Sequence, residues 1–213
     1  MKYKAVLFDM DGTVLDTIED LRDSVNYSLQ HFGYEPISMQ ETMANLGNGA
    51  RYLIQKSCPP DLTEQQLEEI LTFYTAWYND HSLIKTKAFA GIPELMADLS
   101  ASGSQTVIIS NKPHHIVEKL GKIFFPGIAC YGERPGIRRK PDPEAVLKTL
   151  EELNVAKEDA VYIGDTEVDV LTAKNAGVDC IAVSWGFRSL EDLRAAGAEV
   201  IAATVAELGE ILQ

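Results

Sequence analysis

Two aspartates stand two residues apart in Asp9-Met10-Asp11-Gly12-Thr13, with Asp16 just beyond. Like charges that close repel unless a cation lies between them, and a hard cation such as Mg2+ prefers oxygen ligands. A carboxylate is also a competent nucleophile toward phosphorus, giving an aspartyl-phosphate. An ordinary acidic turn would carry the same residues. A second acidic group is Gly164-Asp165-Thr166-Glu167-Val168-Asp169. If Thr166 caps a helix, Asp165 and Asp169 lie about one turn apart and can face one crevice. Acids at a helix N-terminus are also stabilising in their own right, so this cluster reads two ways. Ser110-Asn111-Lys112 offers a hydroxyl, an amide and, from a helix starting near Pro113, free N–H groups. That set is either a phosphate cradle or a simple turn. Lys140, in a loop stiffened by Pro141 and Pro143, supplies a point charge for a phosphoryl oxygen or for crowded carboxylates.

These groups can act together only if the fold gathers them. Apolar runs at 4–8, 106–109, 160–163 and 180–183 read as buried strands, with a weaker one at 128–131. Helical patterns lie between them at 93–101, 113–124, 143–153 and 166–176. A short strand near 199–201 and a last helix through Leu212 close the chain. Alternation of this kind predicts an α/β fold, a parallel sheet with helices on both faces. Pro93, Pro113 and Pro143 suit first helical positions and Asp142 suits an N-cap, while Gly103 and Gly177 stand where helices end. Asp9, Ser110 and Asp165 each follow an apolar run directly, at the carboxyl ends where open α/β sheets place ligands.

From about residue 15 to 82 the rhythm breaks. No strand is evident there, only helical periodicity in Leu21, Val25 and Leu29, then Leu67, Ile70, Leu71 and Tyr74. The stretch carries eleven acids and three bases, Arg22, Arg51 and Lys56. It contains Leu46-Gly47-Asn48-Gly49-Ala50-Arg51. Two glycines around Asn48 permit close backbone approach to a ligand, and Arg51 could bind a carboxylate; a plain turn with a surface arginine has the same sequence.

The order Asp-x-Asp-Gly-Thr, Ser-Asn, Lys-Pro, Gly-Asp-x-x-x-Asp resembles the haloacid dehalogenase-like hydrolases along nearly the whole chain. The resemblance implies a Rossmann-like core at 1–14 and 84–213 and a helical cap at 15–83, with hinges at 13–17 and 83–89. It implies Asp9 as nucleophile, Asp11 as general acid/base, and Ser110 and Lys140 on the phosphoryl group with Asn111 nearby. Mg2+ would be held by Asp9, the Asp11 main-chain carbonyl and Asp165, with Asp169 behind them. Aspartate at position 11 fits phosphatases and phosphomutases, whose leaving groups need a proton; the dehalogenases carry tyrosine there. The segment Gly47-Asn48-Gly49 is similar to a cap loop of the phosphoglycolate phosphatase subfamily, which with Arg51 points to 2-phosphoglycolate as substrate. A sugar-phosphate or pyrophosphate phosphatase, a phosphomutase resembling β-phosphoglucomutase, and a non-catalytic phospho-acceptor module are the alternatives.

Composition narrows the partners. The chain has 213 residues, 46% of them apolar, with 19 basic against 32 acidic residues for a net charge of −13. Nucleic-acid binding draws most of its affinity from basic contacts to phosphate, so no nucleic-acid partner is expected. No run reaches the ~18 apolar residues of a membrane span. Residues 1–4 lead straight into the first apolar run, unlike a secretory leader. Cys58, Cys130 and Cys180 form no metal-binding or disulfide pattern. The expectation is a cytoplasmic monomer or weak homodimer acting on a small phosphorylated metabolite. Adjacent His114 and His115 point about 100° apart on a helix and do not pair on a metal. Phe73, Tyr74, Trp77 and Tyr78 read as packing, Arg134, Arg138 and Arg139 as a solvated loop, and 185–188 as a segment that could line the site's rim.

Overall fold

The computed structural model describes residues 2–213. From the first strand, β1 (Ala5–Phe8), the chain passes through β2 (Leu15–Asp16) and four helices, α1 (Ile18–His31), α2 (Met39–Ala44), α3 (Gly49–Ser57) and α4 (Glu64–His81), to β3 (Lys87–Ala88). It then alternates: α5 (Ile92–Ala101), β4 (Gln105–Pro113), α6 (His114–Phe124), β5 (Ala129–Glu133), α7 (Glu144–Leu153), β6 (Ala160–Gly164), α8 (Glu167–Ala176) and β7 (Asp179–Val183). Helix α9 (Leu190–Ala195), β8 (Ile201–Ala202) and α10 (Val205–Leu212) complete it.

Six strands form one parallel sheet in the order β5-β4-β1-β6-β7-β8. β1 is buried along its length, and its alternation assigns cover to both faces. Val6 and Phe8 join the larger core with residues of α5, α6 and α10, while Ala5 and Leu7 join a second core with Val146 and Leu150 of α7. Phe8 lies opposite both Ile108 of β4 and Ile163 of β6, so three strand ends arrive side by side. The chain runs outward from β1 on one side through β4 and β5, then returns to β6 on the other. Residues following β1 therefore stand at the switch point where such sheets open a crevice.

The expected strands all occur, shifted by a residue or two at their ends, and two expectations need correction. β4 does not stop at Ile109; it continues through Ser110, Asn111 and Lys112 to Pro113. Pro113 is extended (φ −51°, ψ 133°), and α6 begins one residue later. Pairing of Pro113 with Glu133 of β5, beyond an irregularity after Ile109, holds the segment in the sheet. Pro143, not Asp142, directly precedes α7, although the Asp142 carboxylate still accepts from the Glu144 N–H at 3.0 Å.

The stretch expected to lack strands begins with one, β2, which pairs with β3 just beyond the stretch's end. β2 and β3 pair antiparallel, Leu15 with Ala88 and Asp16 with Lys87, which ties together the two connections of the helical insertion. Buried Asp20 reinforces the tie: its carboxylate accepts from the N–H groups of Ile84, Lys85 and Thr86 and from the Thr86 hydroxyl, at 2.8–3.0 Å. Within the insertion α1 packs on α4, and the Tyr27 ring stacks on Trp77 at 3.7 Å.

Candidate active site

Asp9 is the first residue beyond β1, and its N–H donates to Ile163 O at 2.8 Å, which fixes it beside the end of β6. Its side chain is buried. The Lys140 ammonium, buried as well, lies 2.8 Å from Asp9 Oδ1 and 2.7 Å from Asp169 Oδ1, and donates to the Tyr162 hydroxyl at 2.9 Å. The Lys140 ammonium is the charge partner of Asp9 Oδ1, which accepts from no other group among the described residues. Asp169 Oδ2 accepts from the N–H and the hydroxyl of Thr166 at the start of α8. Asp165 Oδ1 accepts from the Thr13 hydroxyl at 2.9 Å, and its Oδ2 from the Phe187 N–H at 2.7 Å. Gly12 makes room for this: it has φ +80°, and a Cβ there would collide with the Asp165 carboxylate.

Each of Asp9, Asp165 and Asp169 places a carboxylate oxygen within 4.8 Å of those of the other two. Burial, only partly offset by Lys140 and reinforced by Asp169 and Asp11, pushes the Asp9 carboxyl up from 3.8 to about 7. Burial and the charges of Asp169 and Asp9 raise Asp165 well above the usual carboxylate range. Burial opposes the charge on Lys140, but Asp169 and Asp9 outweigh it and hold the ammonium protonated. Three buried carboxylates facing one lysine leave surplus negative charge in hard oxygen ligands. That donor set fits a divalent cation.

Asp11, two residues after Asp9, lines the same cavity. Its Oδ1 accepts from the Thr17 hydroxyl at 2.7 Å and from the ammonium of buried Lys112. Lys112 also lies 5.0 Å from the centre of the Tyr78 ring. Ser110 is buried at the same strand end and accepts from the Lys112 N–H at 3.3 Å. The Asn111 amide is committed to backbone: it donates to Gly47 O and Lys140 O and accepts from the Lys140 N–H, each at 2.9 Å. Asn111 thus clamps the Lys140 loop and the insertion to β4; the expected contact with a phosphoryl group is not available to its side chain.

A cavity of about 50 Å3 opens between these residues and the insertion. Asp9, Asp11, Ser110, Lys112 and Thr166 line it from the sheet, and Leu21, Leu46, Leu53, Tyr74 and Tyr78 from the helices. Of the glycine loop, Gly47 and Gly49 reach the cavity, and Asn48 does not. Arg51 requires correction: its guanidinium pairs with Glu64 and Glu68 of α4 rather than facing the cavity. Gly49 and Ala50 face the cavity from the first turn of α3, and the 100° step per residue carries Arg51 away from it.

Two contributors, Lys112 and Tyr78, carry no distinct signal in the sequence, and a third, Arg188, lies in the 185–188 segment expected at the rim. Lys112 stands in the sequence within a segment that reads as a phosphate cradle or a turn, and alternation along the continued strand sets it on the same side as Ser110. Tyr78 read as packing, and its spacing from Tyr74 was the available signal. Arg188 spans from the loop after β7 to the insertion, donating to Met43 O at 2.6 Å and Leu46 O at 2.8 Å while pairing with Glu167.

The model of the family described as haloacid dehalogenase-like hydrolase matches residues 6–183. The chain belongs to the haloacid dehalogenase-like hydrolases. It is 33% identical to phosphoglycolate phosphatase 1 of Pseudomonas aeruginosa, over 86% of this chain and 70% of that one. It is 30% identical to the N-acetylmuramic acid 6-phosphate phosphatase of the same organism, over 100% and 96%. A crystal structure from Lactobacillus delbrueckii subsp. bulgaricus, proposed to be a phosphoglycolate phosphatase, superposes with a TM-score of 0.93 at 36% identity, covering 100% of this chain and 99% of that one. Within the family the chain falls with the phosphoglycolate phosphatase-like members, hydrolases acting on phosphate monoesters. No helix among the described residues is long and apolar enough to cross a membrane.

Proposed function

We propose that this family member is a cytoplasmic, Mg2+-dependent phosphatase for a small monoester, 2-phosphoglycolate first, working through an aspartyl-phosphate on Asp9. The observation that carries the reading is that Asp9 and Asp11 line one cavity with Ser110 and Lys112. The Asp9 carboxylate attacks phosphorus in line; the P–O bond to the leaving group breaks as Asp11 gives that oxygen a proton. Asp11 Oδ1 already accepts from Thr17 and Lys112, which leaves Oδ2 for the proton. Asp11 then takes a proton from the water that attacks phosphorus, releasing phosphate and restoring Asp9. Ser110 and Lys140 bind the phosphoryl oxygens, positioning the group against Asp9. Asp9, Asp165 and the Asp11 main-chain carbonyl would hold Mg2+, with Asp169 behind them orienting Lys140. When bound, the cation supplies positive charge to the phosphoryl oxygens and offsets the crowded carboxylates.

Residues 15–83 act in this reading as a cap that excludes water from transfer and sets the space for the leaving group. The bonds from Asn111 to Gly47 O and from Arg188 to Met43 O and Leu46 O support it, since each joins sheet to insertion. The insertion side of the cavity is lined mainly by Leu21, Leu46, Leu53 and Tyr74, which favours a small ester over a hydroxyl-rich hexose phosphate. Full-length similarity to an N-acetylmuramic acid 6-phosphate phosphatase favours a sugar phosphate as second reading. The test is phosphate release with Mg2+ from 2-phosphoglycolate, N-acetylmuramic acid 6-phosphate, glucose 1-phosphate and pyrophosphate, with Asp9→Asn as control. Preference for 2-phosphoglycolate in kcat/KM is expected. Even, weak activity would remove the substrate, and phosphorylation of Asp9 without release would favour the acceptor module.

A further inference from the structure

The insertion side of the cavity is poor in hydrogen-bonding groups. Leu21, Leu46, Leu53 and the Tyr74 ring make most of that wall. The Thr75 hydroxyl, also at the lining, donates to Leu71 O at 2.7 Å, and the Asn111 amide is committed to backbone as described. A hydroxyl-rich leaving group would find little to bond there, and burying sugar hydroxyls without partners is costly.

Two donors remain. An ammonium has three N–H bonds, and Lys112 uses one of them on Asp11 Oδ1. Lys112 is the one basic residue among the described residues lining the cavity, since Arg51 is held outside by Glu64 and Glu68. The second donor is the Tyr78 hydroxyl. Tyr78 lines the cavity with 2% of its surface exposed, and its hydroxyl has no hydrogen-bond partner. A buried hydroxyl left without a partner calls for an explanation, and a ligand oxygen supplies one. The ammonium lies against the Tyr78 ring, so both donors belong to one corner of the cavity. The first turn of α3 borders the same cavity through Gly49 and Ala50, and its Asn48 cap makes no side-chain bond.

We propose that Lys112 and Tyr78 form a two-donor subsite for a carboxylate on the leaving group, and so make this site select small phosphate monoesters of carboxylic acids. This rests on the phosphatase reading above and replaces Arg51 as the group that recognises the acid. One donor is charged and one neutral, matching the two oxygens of a carboxylate. Lys112 also separates that carboxylate from Asp11, which would otherwise repel it.

The experiment compares 2-phosphoglycolate with 2-hydroxyethyl phosphate, an ester of similar size that ends in a hydroxyl, and reads the ratio of their kcat/KM values. Any effect of Lys112 through Asp11 falls on both esters and cancels in the ratio. Wild type is expected to favour 2-phosphoglycolate. Lys112→Met lowers the ratio about 10- to 100-fold, the span of one charged hydrogen bond. Tyr78→Phe lowers it about 3- to 10-fold without lowering the melting temperature, because it removes a buried group that has no partner in the free protein. That second variant decides the matter if Lys112→Met does not fold. A wild-type ratio near one, or a ratio unchanged in the folded variants, overturns the subsite while leaving the phosphatase standing. No phosphate from either ester with Mg2+ present overturns both.

Discussion

Replacing Asp9 by asparagine should stabilise the metal-free protein while ending turnover. Asp9 is buried beside Asp169 and Asp11 with only Lys140 to offset the charge, and its carboxyl is pushed from 3.8 to about 7. The unfolded chain loses that proton near pH 4, whereas the folded protein keeps it until about pH 7. Between those values the folded state binds more protons, so stability falls as pH rises and levels off above about 7. At about 1.4 kcal/mol per pH unit, the interval from 3.8 to about 7 makes the cost about 4 kcal/mol. Asparagine cannot ionise and escapes it. At about 2–4 °C per kcal/mol for a chain of this size, Asp9→Asn should melt about 8–16 °C higher in EDTA at pH 8. The gap should close as the pH is lowered to 4. Excess Mg2+ at pH 8 should narrow it, because a bound cation stabilises the wild-type carboxylates. Urea denaturation of both proteins from pH 4 to 8, with EDTA and with Mg2+, measures all three. Equal stabilities at pH 8 in EDTA, or a gap that widens on acidification, would refute the electrostatic account of the cluster.

Lys140→Met removes the one ammonium between Asp9 and Asp169. We expect a loss of about 3–5 kcal/mol in EDTA at pH 8, shrinking on acidification as the carboxylates take up protons, with phosphate release abolished; urea midpoints and a release assay check both. Arg188→Ala cuts the bonds to Met43 O and Leu46 O and should loosen the insertion. The expected result is faster limited proteolysis of residues 33–48 and about a tenfold fall in kcat/KM, with little change in the sheet's far-ultraviolet signal. Asp20→Asn weakens the charged acceptor that holds the N–H groups of Ile84, Lys85 and Thr86; a loss of about 2–4 kcal/mol in urea denaturation is expected.

Strand ends were the most legible part of this chain. A polar residue that closes an apolar run is conspicuous, and Asp9, Ser110 and Asp165 stand out by that signal, although Ser110 proves to lie within β4 rather than after it. Lys140 was legible only as a lysine in a proline-bounded loop; its burial between two carboxylates follows from tertiary packing. Lys112 and Tyr78 were hidden for different reasons. The strand carrying Lys112 is prolonged by pairing with β5, a long-range contact that local hydropathy does not encode. A tyrosine on an amphipathic helix has the same pattern whether its hydroxyl meets water or a cavity. The glycines of residues 46–51 did mark a close approach to the site, but the arginine after them is turned aside by helix geometry and met by Glu64 and Glu68.

The β2–β3 ribbon has a consequence for how such a chain can change. Its two strands bring Leu15 beside Ala88, at the spacing of neighbouring strands, about 4.8 Å. Everything from α1 to α4 therefore leaves and re-enters the molecule through a doorway no wider than a hairpin. A tight turn could bridge that doorway without moving β1, β4 or β6, and so could a different helical unit of any length with ends that meet. Lengthening a closed loop costs only about 0.6 kcal/mol per doubling. The ribbon thus works as a docking collar: under the phosphatase reading, the piece that would choose the leaving group can be exchanged as a cassette, while Asp9, Asp165 and Asp169 stay in register.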